Sequence, residues 1–250
     1  AGGGTGGVIE HKKTGALVVT NRHVAQIVAR RKADGSAGFV RAPSGARYGA
    51  AIDFGEEVES KVDDNSRTAE LTRVEYLADD TSADVALLWI EAASFSLPSP
   101  FQLAGDKVKV AKGDLVALIG YPAYDSRNDA NAQARYFRDL YEVKRFAPGK
   151  ILQSPSKGVL TYDCTSLGGN SGSPLIRLDD GKVIGLHFSG VYGKENTAVS
   201  AKTLSELLKG ARSVFVPQQA SQDEATDGSH TAEKFEGREG FNTKFLKKSD

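Results

Sequence analysis

Gly168-Gly169-Asn170-Ser171-Gly172-Ser173-Pro174, followed by Leu175-Ile176, is the stretch on which the chain turns. Glycine at this density lets the backbone take turns that a side chain would block. A serine at the centre of such a turn can present its hydroxyl outward, with backbone N–H groups beside it. Clustered N–H groups are what acyl transfer needs, because they stabilise an oxyanion as it forms. A glycine-rich hairpin turn would read the same way, so the stretch means little without a base to activate the serine.

Working outward, Thr20-Asn21-Arg22-His23-Val24 follows the apolar run Ala16-Leu17-Val18-Val19. Ser82-Ala83-Asp84 leads into Val85-Ala86-Leu87-Leu88-Trp89-Ile90, a run that reads as a buried strand. A neutral imidazole at His23 could take a serine proton near neutral pH. Asp84 is preferred over Asp79 and Asp80 as the residue that orients it. An orienting carboxylate has to be partly buried, and Asp79-Asp80 sit in a turn. The order His, Asp, Ser is one of several that build a Ser-His-Asp triad.

With these blocks in place the chain resembles the chymotrypsin-fold (trypsin-like) serine peptidases, nearest their bacterial V8-like glutamyl endopeptidase and HtrA-like branch. The carrying residues are 20–24, Ala83-Asp84-Val85-Ala86-Leu87-Leu88, 168–174 and Gly185-Leu186-His187-Phe188-Ser189-Gly190, within about residues 4–212. The resemblance implies an all-β fold of two six-stranded antiparallel barrels with a short C-terminal helix. It implies a serine endopeptidase working through an acyl-enzyme on Ser171, with His23 and Asp84 completing the triad. Gly169 and Ser171 would form the oxyanion hole, and Ser189 and Gly190 would pair with substrate backbone. Thr165 stands where trypsin carries its acidic specificity residue, so arginine or lysine at P1 (the residue before the cut bond) is not expected. Ser166 and His187 match the positions with which V8-like enzymes read an acidic P1 side chain, which gives glutamate as the expected preference; His187 as an ordinary core histidine is the competing reading. Asn170 replaces the aspartate that trypsin-like zymogens pair with a new N-terminal amine, so activation by that route is not expected.

Composition is consistent with this. At 250 residues with 40% hydrophobic content the chain can build a substantial core. Its 32 basic and 32 acidic residues cancel, so bulk charge points to neither nucleic acid nor a membrane surface. No apolar run reaches the roughly 18 residues of a membrane helix. Four scattered histidines and Cys164, the one cysteine, show no metal-ligand spacing, and no cofactor motif is present. A single cysteine excludes an internal disulfide and favours a cytoplasmic setting, with secretion as the alternative. Cys164 reads as a small buried strand residue rather than a nucleophile.

The expected organisation is a peptidase domain over 1–216, with barrel one at about 4–100, barrel two at about 107–200 and a helix at about 203–211. Ser200 or Thr203 would start that helix and Gly210 end it. Val143 to Gln153 reads as a hairpin broken at Pro148-Gly149, and 125–140 as a loop excursion near the site. Residues 217–250 are a polar linker or tail that could lead to a further domain. Polypeptide is the expected partner, with a regulatory partner or fused effector domain in addition. The alternative kept open is a latent or non-catalytic barrel, a regulatory or binding module that a partner activates.

Overall fold

The computed structural model describes residues 3–59, 64–91, 93–191 and 193–214. The polar stretch 217–250 lies outside the described residues. Strands β1 (Gly7–Lys12), β2 (Gly15–Thr20), β5 (Ala51–Asp53), β6 (Thr68–Leu77) and β7 (Ala86–Glu91) form one antiparallel sheet in the order β1-β2-β7-β6-β5. A separate hairpin pairs β3 (Ala29–Arg31) with β4 (Ala37–Phe39). In the second half, β8 (Leu115–Gly120), β9 (Arg145–Ser156), β10 (Val159–Tyr162), β11 (Pro174–Arg177), β12 (Val183–Val191) and β13 (Glu195–Ser200) close a six-stranded barrel. The double-barrel expectation holds, with the second barrel closed and the first present as a half-barrel sheet beside its hairpin.

The alternation of strand side chains explains why β2 and β7 are apolar throughout. Val18, Leu88 and Ile90 point into the core of the first half. Their neighbours Leu17, Val19, Leu87 and Trp89 point the other way, against Leu186, Val199 and Leu204 of the second half. The two halves therefore share a core, and the strands carrying the His and Asp blocks are clamped between two apolar layers.

Three local expectations are corrected. Pro148-Gly149 does not break a hairpin: β9 is one continuous 12-residue strand. Its first half pairs with β8 (Ala117 opposite Pro148, Val116 opposite Gly149) and its second half with β10. Gly149 is there for close approach, since a Cβ would lie 2.6 Å from Asp163 Oδ1 and 2.7 Å from Cys164 N. The C-terminal helix, here Ala201–Val214, runs through Gly210 rather than ending at it. A mid-helix glycine costs only about 1 kcal/mol. Ser200 does start the helix, accepting from Thr203 N–H at 3.2 Å. Within the 125–140 excursion lies another helix, Ala130–Phe137, capped by Asp129.

Candidate active site

Each residue of the 20–23 block has a tertiary task. The Thr20 hydroxyl donates to the Thr5 carbonyl at 2.7 Å. Asn21 stands at the cap of the short helix Arg22–Ala25 but does not cap it; its amide donates instead to the Asp84 carbonyl at 2.8 Å. Arg22 bonds the Asp79 carbonyl and lies 3.9 Å from Asp84 Oδ1. His23 meets Asp84 twice, backbone N–H to Oδ1 at 3.0 Å and Nδ1 to Oδ2 at 2.5 Å. With both Asp84 oxygens engaged by His23, the ring orientation is fixed. Burial pushes the Asp84 carboxyl up, but the His23 ring, its charge and its N–H outweigh that and hold it below the usual carboxylate range. Asp79 is unsuited to the task. Its Oδ1 accepts from the N–H and hydroxyl groups of both Thr81 and Ser82, and these bonds hold its carboxyl down at about 2.

The serine loop is built peptide by peptide. Gly169 and Gly172 sit at φ +88° and +89°, in the left-handed region that favours glycine. At Gly172 a Cβ would lie 1.9 Å from the Thr5 carbonyl oxygen. The N–H groups of Asn170, Gly172 and Ser173 donate inside the protein, to Leu167, His187 and Asn170. Those of Gly169 and Ser171 find no acceptor among the described residues. Their aim is nonetheless set, because a peptide's N–H points opposite to its C=O. The Gly168 carbonyl is held by Ala123 N–H at 2.7 Å and the Asn170 carbonyl by Ser173 N–H at 2.9 Å. Thr5, 2% exposed, braces the loop with its N–H on the Ser171 carbonyl (2.7 Å) and its hydroxyl on the Gly169 carbonyl (2.8 Å). Asn170 is buried, with Ser173 as the hydrogen-bond partner of its side chain. No hydrogen bond joins Ser171 Oγ to His23 here; such contacts often tighten only when substrate binds.

Ser171, Ser166, His187, Ser189, Gly190 and Asn196 line one open cleft, and Ser189 also lines a second that holds His23 and Asp84. β12 extends past the start of β11, whose pairing begins at Pro174 opposite Leu186. His187 still pairs on that edge with the serine loop, donating to the Ser173 carbonyl and accepting from Gly172 N–H; past it, the ladder partner of β12 among the described residues is β13 alone. Helix Ala130–Phe137 borders the same cleft through Ala132, Gln133, Tyr136 and Phe137, which places the expected loop excursion at the site.

The chain matches the family model described as trypsin-like peptidase domain over residues 4–186. It belongs to that family. Among solved structures, this trypsin-like peptidase domain is similar to Rv3671c of M. tuberculosis H37Rv, a serine-to-alanine mutant described as the inactive form. That likeness is at 20% identity and TM-score 0.48, over 85% of this chain and 82% of the other. No curated protein matches.

The sequence reading missed Thr5, Tyr162 and Asn196 as site residues of this peptidase. Tyr162, fully buried, places its hydroxyl 2.6 Å from His187 Nδ1. Asn196 accepts from the Ser166 hydroxyl and donates to the Cys164 carbonyl. Only the interleaved polar residue in an apolar strand hints at either. Cys164 is inert, since burial pushes its thiol up to about 12.

His187 is 3% exposed. Burial, and then the charge of His23, pull its pKa down to about 3. An unfolded histidine titrates near 6.5. Between those values the unfolded chain binds a proton that the folded chain does not, so stability falls as pH drops below about 6.5. The slope expected from this group is about 1.4 kcal/mol per pH unit. Urea unfolding of wild type and His187→Gln from pH 7.5 to 5 checks it: the variant should lose that slope, and parallel curves would show that His187 is not buried neutral.

Proposed function

We propose that this chain is a serine endopeptidase acting through an acyl-enzyme on Ser171. Ser171 Oγ attacks the scissile carbonyl carbon while His23 Nε2 takes its proton. The oxyanion accepts hydrogen bonds from the N–H groups of Gly169 and Ser171. Collapse breaks the C–N bond, and His23 gives the proton to the departing amine. Water, deprotonated by His23, then hydrolyses the ester and restores Ser171. Asp84 fixes the imidazole with its proton on Nδ1 and stabilises the imidazolium.

The observation that carries this reading is the serine loop itself. Of its N–H groups from Gly169 to Ser173, the two left unspent are Gly169 and Ser171, the pair the reaction requires, and the carbonyls behind them are pinned. A donor held in place before the charge develops needs no reorganisation. Substrate would add as a strand along the open edge of β12 at Ser189 and Gly190, with its P1 side chain directed toward Ser166 and His187. An acidic P1 side chain, as the resemblance implies, would accept a hydrogen bond from His187 there.

The test is reaction with an alkyl fluorophosphonate, read by intact mass and peptide mapping. One adduct, on Ser171, is expected. No adduct would return the chain to the latent, partner-activated reading.

A further inference from the structure

We propose that the Ser166–His187–Asn196 end of the cleft reads a neutral primary carboxamide at P1, glutamine or asparagine, in preference to a carboxylate; this deepens the peptidase reading and rests on it. The placement of hydrogens decides the matter. The Tyr162 hydroxyl is buried and its hydrogen-bond partner is His187 Nδ1, at 2.6 Å. Buried hydroxyls keep their hydrogen bonded, so Tyr162 donates and Nδ1 accepts. The proton of the neutral ring is then on Nε2, the nitrogen left for the cleft that His187 lines. His187 is thus a fixed donor without a charge, in keeping with its lowered pKa.

Ser166 is the complement. Asn196 Nδ2 lies 2.6 Å from the Cys164 carbonyl, which can only accept, so the amide orientation is settled. Asn196 Oδ1 therefore faces Ser166 and takes its hydroxyl hydrogen. Ser166 Oγ is left with lone pairs. The cleft end offers one N–H donor and one oxygen acceptor, and a primary carboxamide supplies the matching C=O and NH₂.

A carboxylate fits worse. One oxygen could accept from His187, but the other would meet the Ser166 lone pairs with no hydrogen between them. The cations on the cleft wall do not compensate. Arg127 is forked onto Asp125, and Lys194 is exposed at the rim. Asp163 and Glu195 on the same wall add negative charge. Enclosing a charge without a countercharge is costly. An aliphatic P1 side chain would leave both polar groups unsatisfied, the situation that sites built on hydrogen bonds reject most strongly.

The experiment uses peptidyl diphenyl phosphonates that share P2 to P4 and differ at P1: Gln, Asn, Glu, Leu and Arg. Each labels the serine at a rate that reports the P1 fit, and the alkyl fluorophosphonate serves as a P1-blind reference. The Gln or Asn probe should label fastest at pH 7.5, by about tenfold or more over Glu and Leu. Ser166→Ala and Tyr162→Phe should each lower the carboxamide rate by more than they lower the Leu rate; if Tyr162→Phe fails to fold, Ser166→Ala decides. A faster Glu probe, a flat ranking, or a ranking that Ser166→Ala leaves unmoved overturns the carboxamide reading while the peptidase reading stands. Failure of the fluorophosphonate itself to label overturns both.

Discussion

Ser171→Ala should lower kcat/KM for peptide cleavage by about a million-fold, the scale on which loss of a triad nucleophile acts. The variant should leave the fold almost untouched, and that contrast makes the experiment informative. Ser171 is held through its backbone, by the Thr5 N–H on its carbonyl, while its hydroxyl makes no hydrogen bond among the described residues. Removing an unbonded hydroxyl from a partly exposed residue should change stability by no more than about 0.5 kcal/mol. Calorimetry and peptide turnover on the same preparation check both halves. A variant that melts like wild type but does not cut assigns the chemistry to Ser171. Full activity in the variant would sink the assignment.

Asp84→Asn should cost about 10,000-fold in kcat, again with the backbone in place. Asp84 accepts two hydrogen bonds from His23, one from the ring and one from the backbone N–H. Asparagine has a single acceptor oxygen. If that oxygen stays on the backbone N–H, the NH₂ group faces Nδ1 and forces the ring proton to Nε2. The nitrogen that should take the serine proton is then already occupied. Activity should partly recover at high pH, where hydroxide can replace the general base, and a pH–rate profile of wild type and variant reads this directly. A drop of less than tenfold would mean that another group orients His23. Asp79 is a poor candidate for such a substitute, since four hydrogen bonds from Thr81 and Ser82 converge on its Oδ1 and hold the side chain in its own turn.

The sequence by itself determined the parts of this protein that depend on local conformation. The serine loop was legible because its glycines answer to backbone geometry: Gly169 and Gly172 both stand at positive φ. Asp84 could be chosen over Asp79 because the apolar run after it marks a buried strand. The barrel architecture was legible from short β-rich runs and the turns between them. Pro148-Gly149 was misread for a complementary reason. Those residues signal a turn locally, but this glycine answers to the close approach of Asp163 and Cys164, which strand pairing brings there.

Only the tertiary structure decided how the loop is held and which groups line the neighbouring cleft. Thr5 reaches the Gly169 carbonyl across 164 positions, Asn196 reaches Ser166 across 30, and Tyr162 reaches His187 across 25. No periodicity links such partners. In the carboxamide reading we propose, the side-chain hydrogen bonds they make set which atoms of His187 and Ser166 donate and which accept. Charge is subject to the same limit. A histidine in the sequence is a group that can be a cation near neutral pH, and burial, with the charge of His23, is what pushes His187 toward its neutral form. The fold of the site is written in local backbone preferences, while its recognition chemistry depends on desolvation and on hydrogen placement, both of which arise only when distant strands close into a barrel.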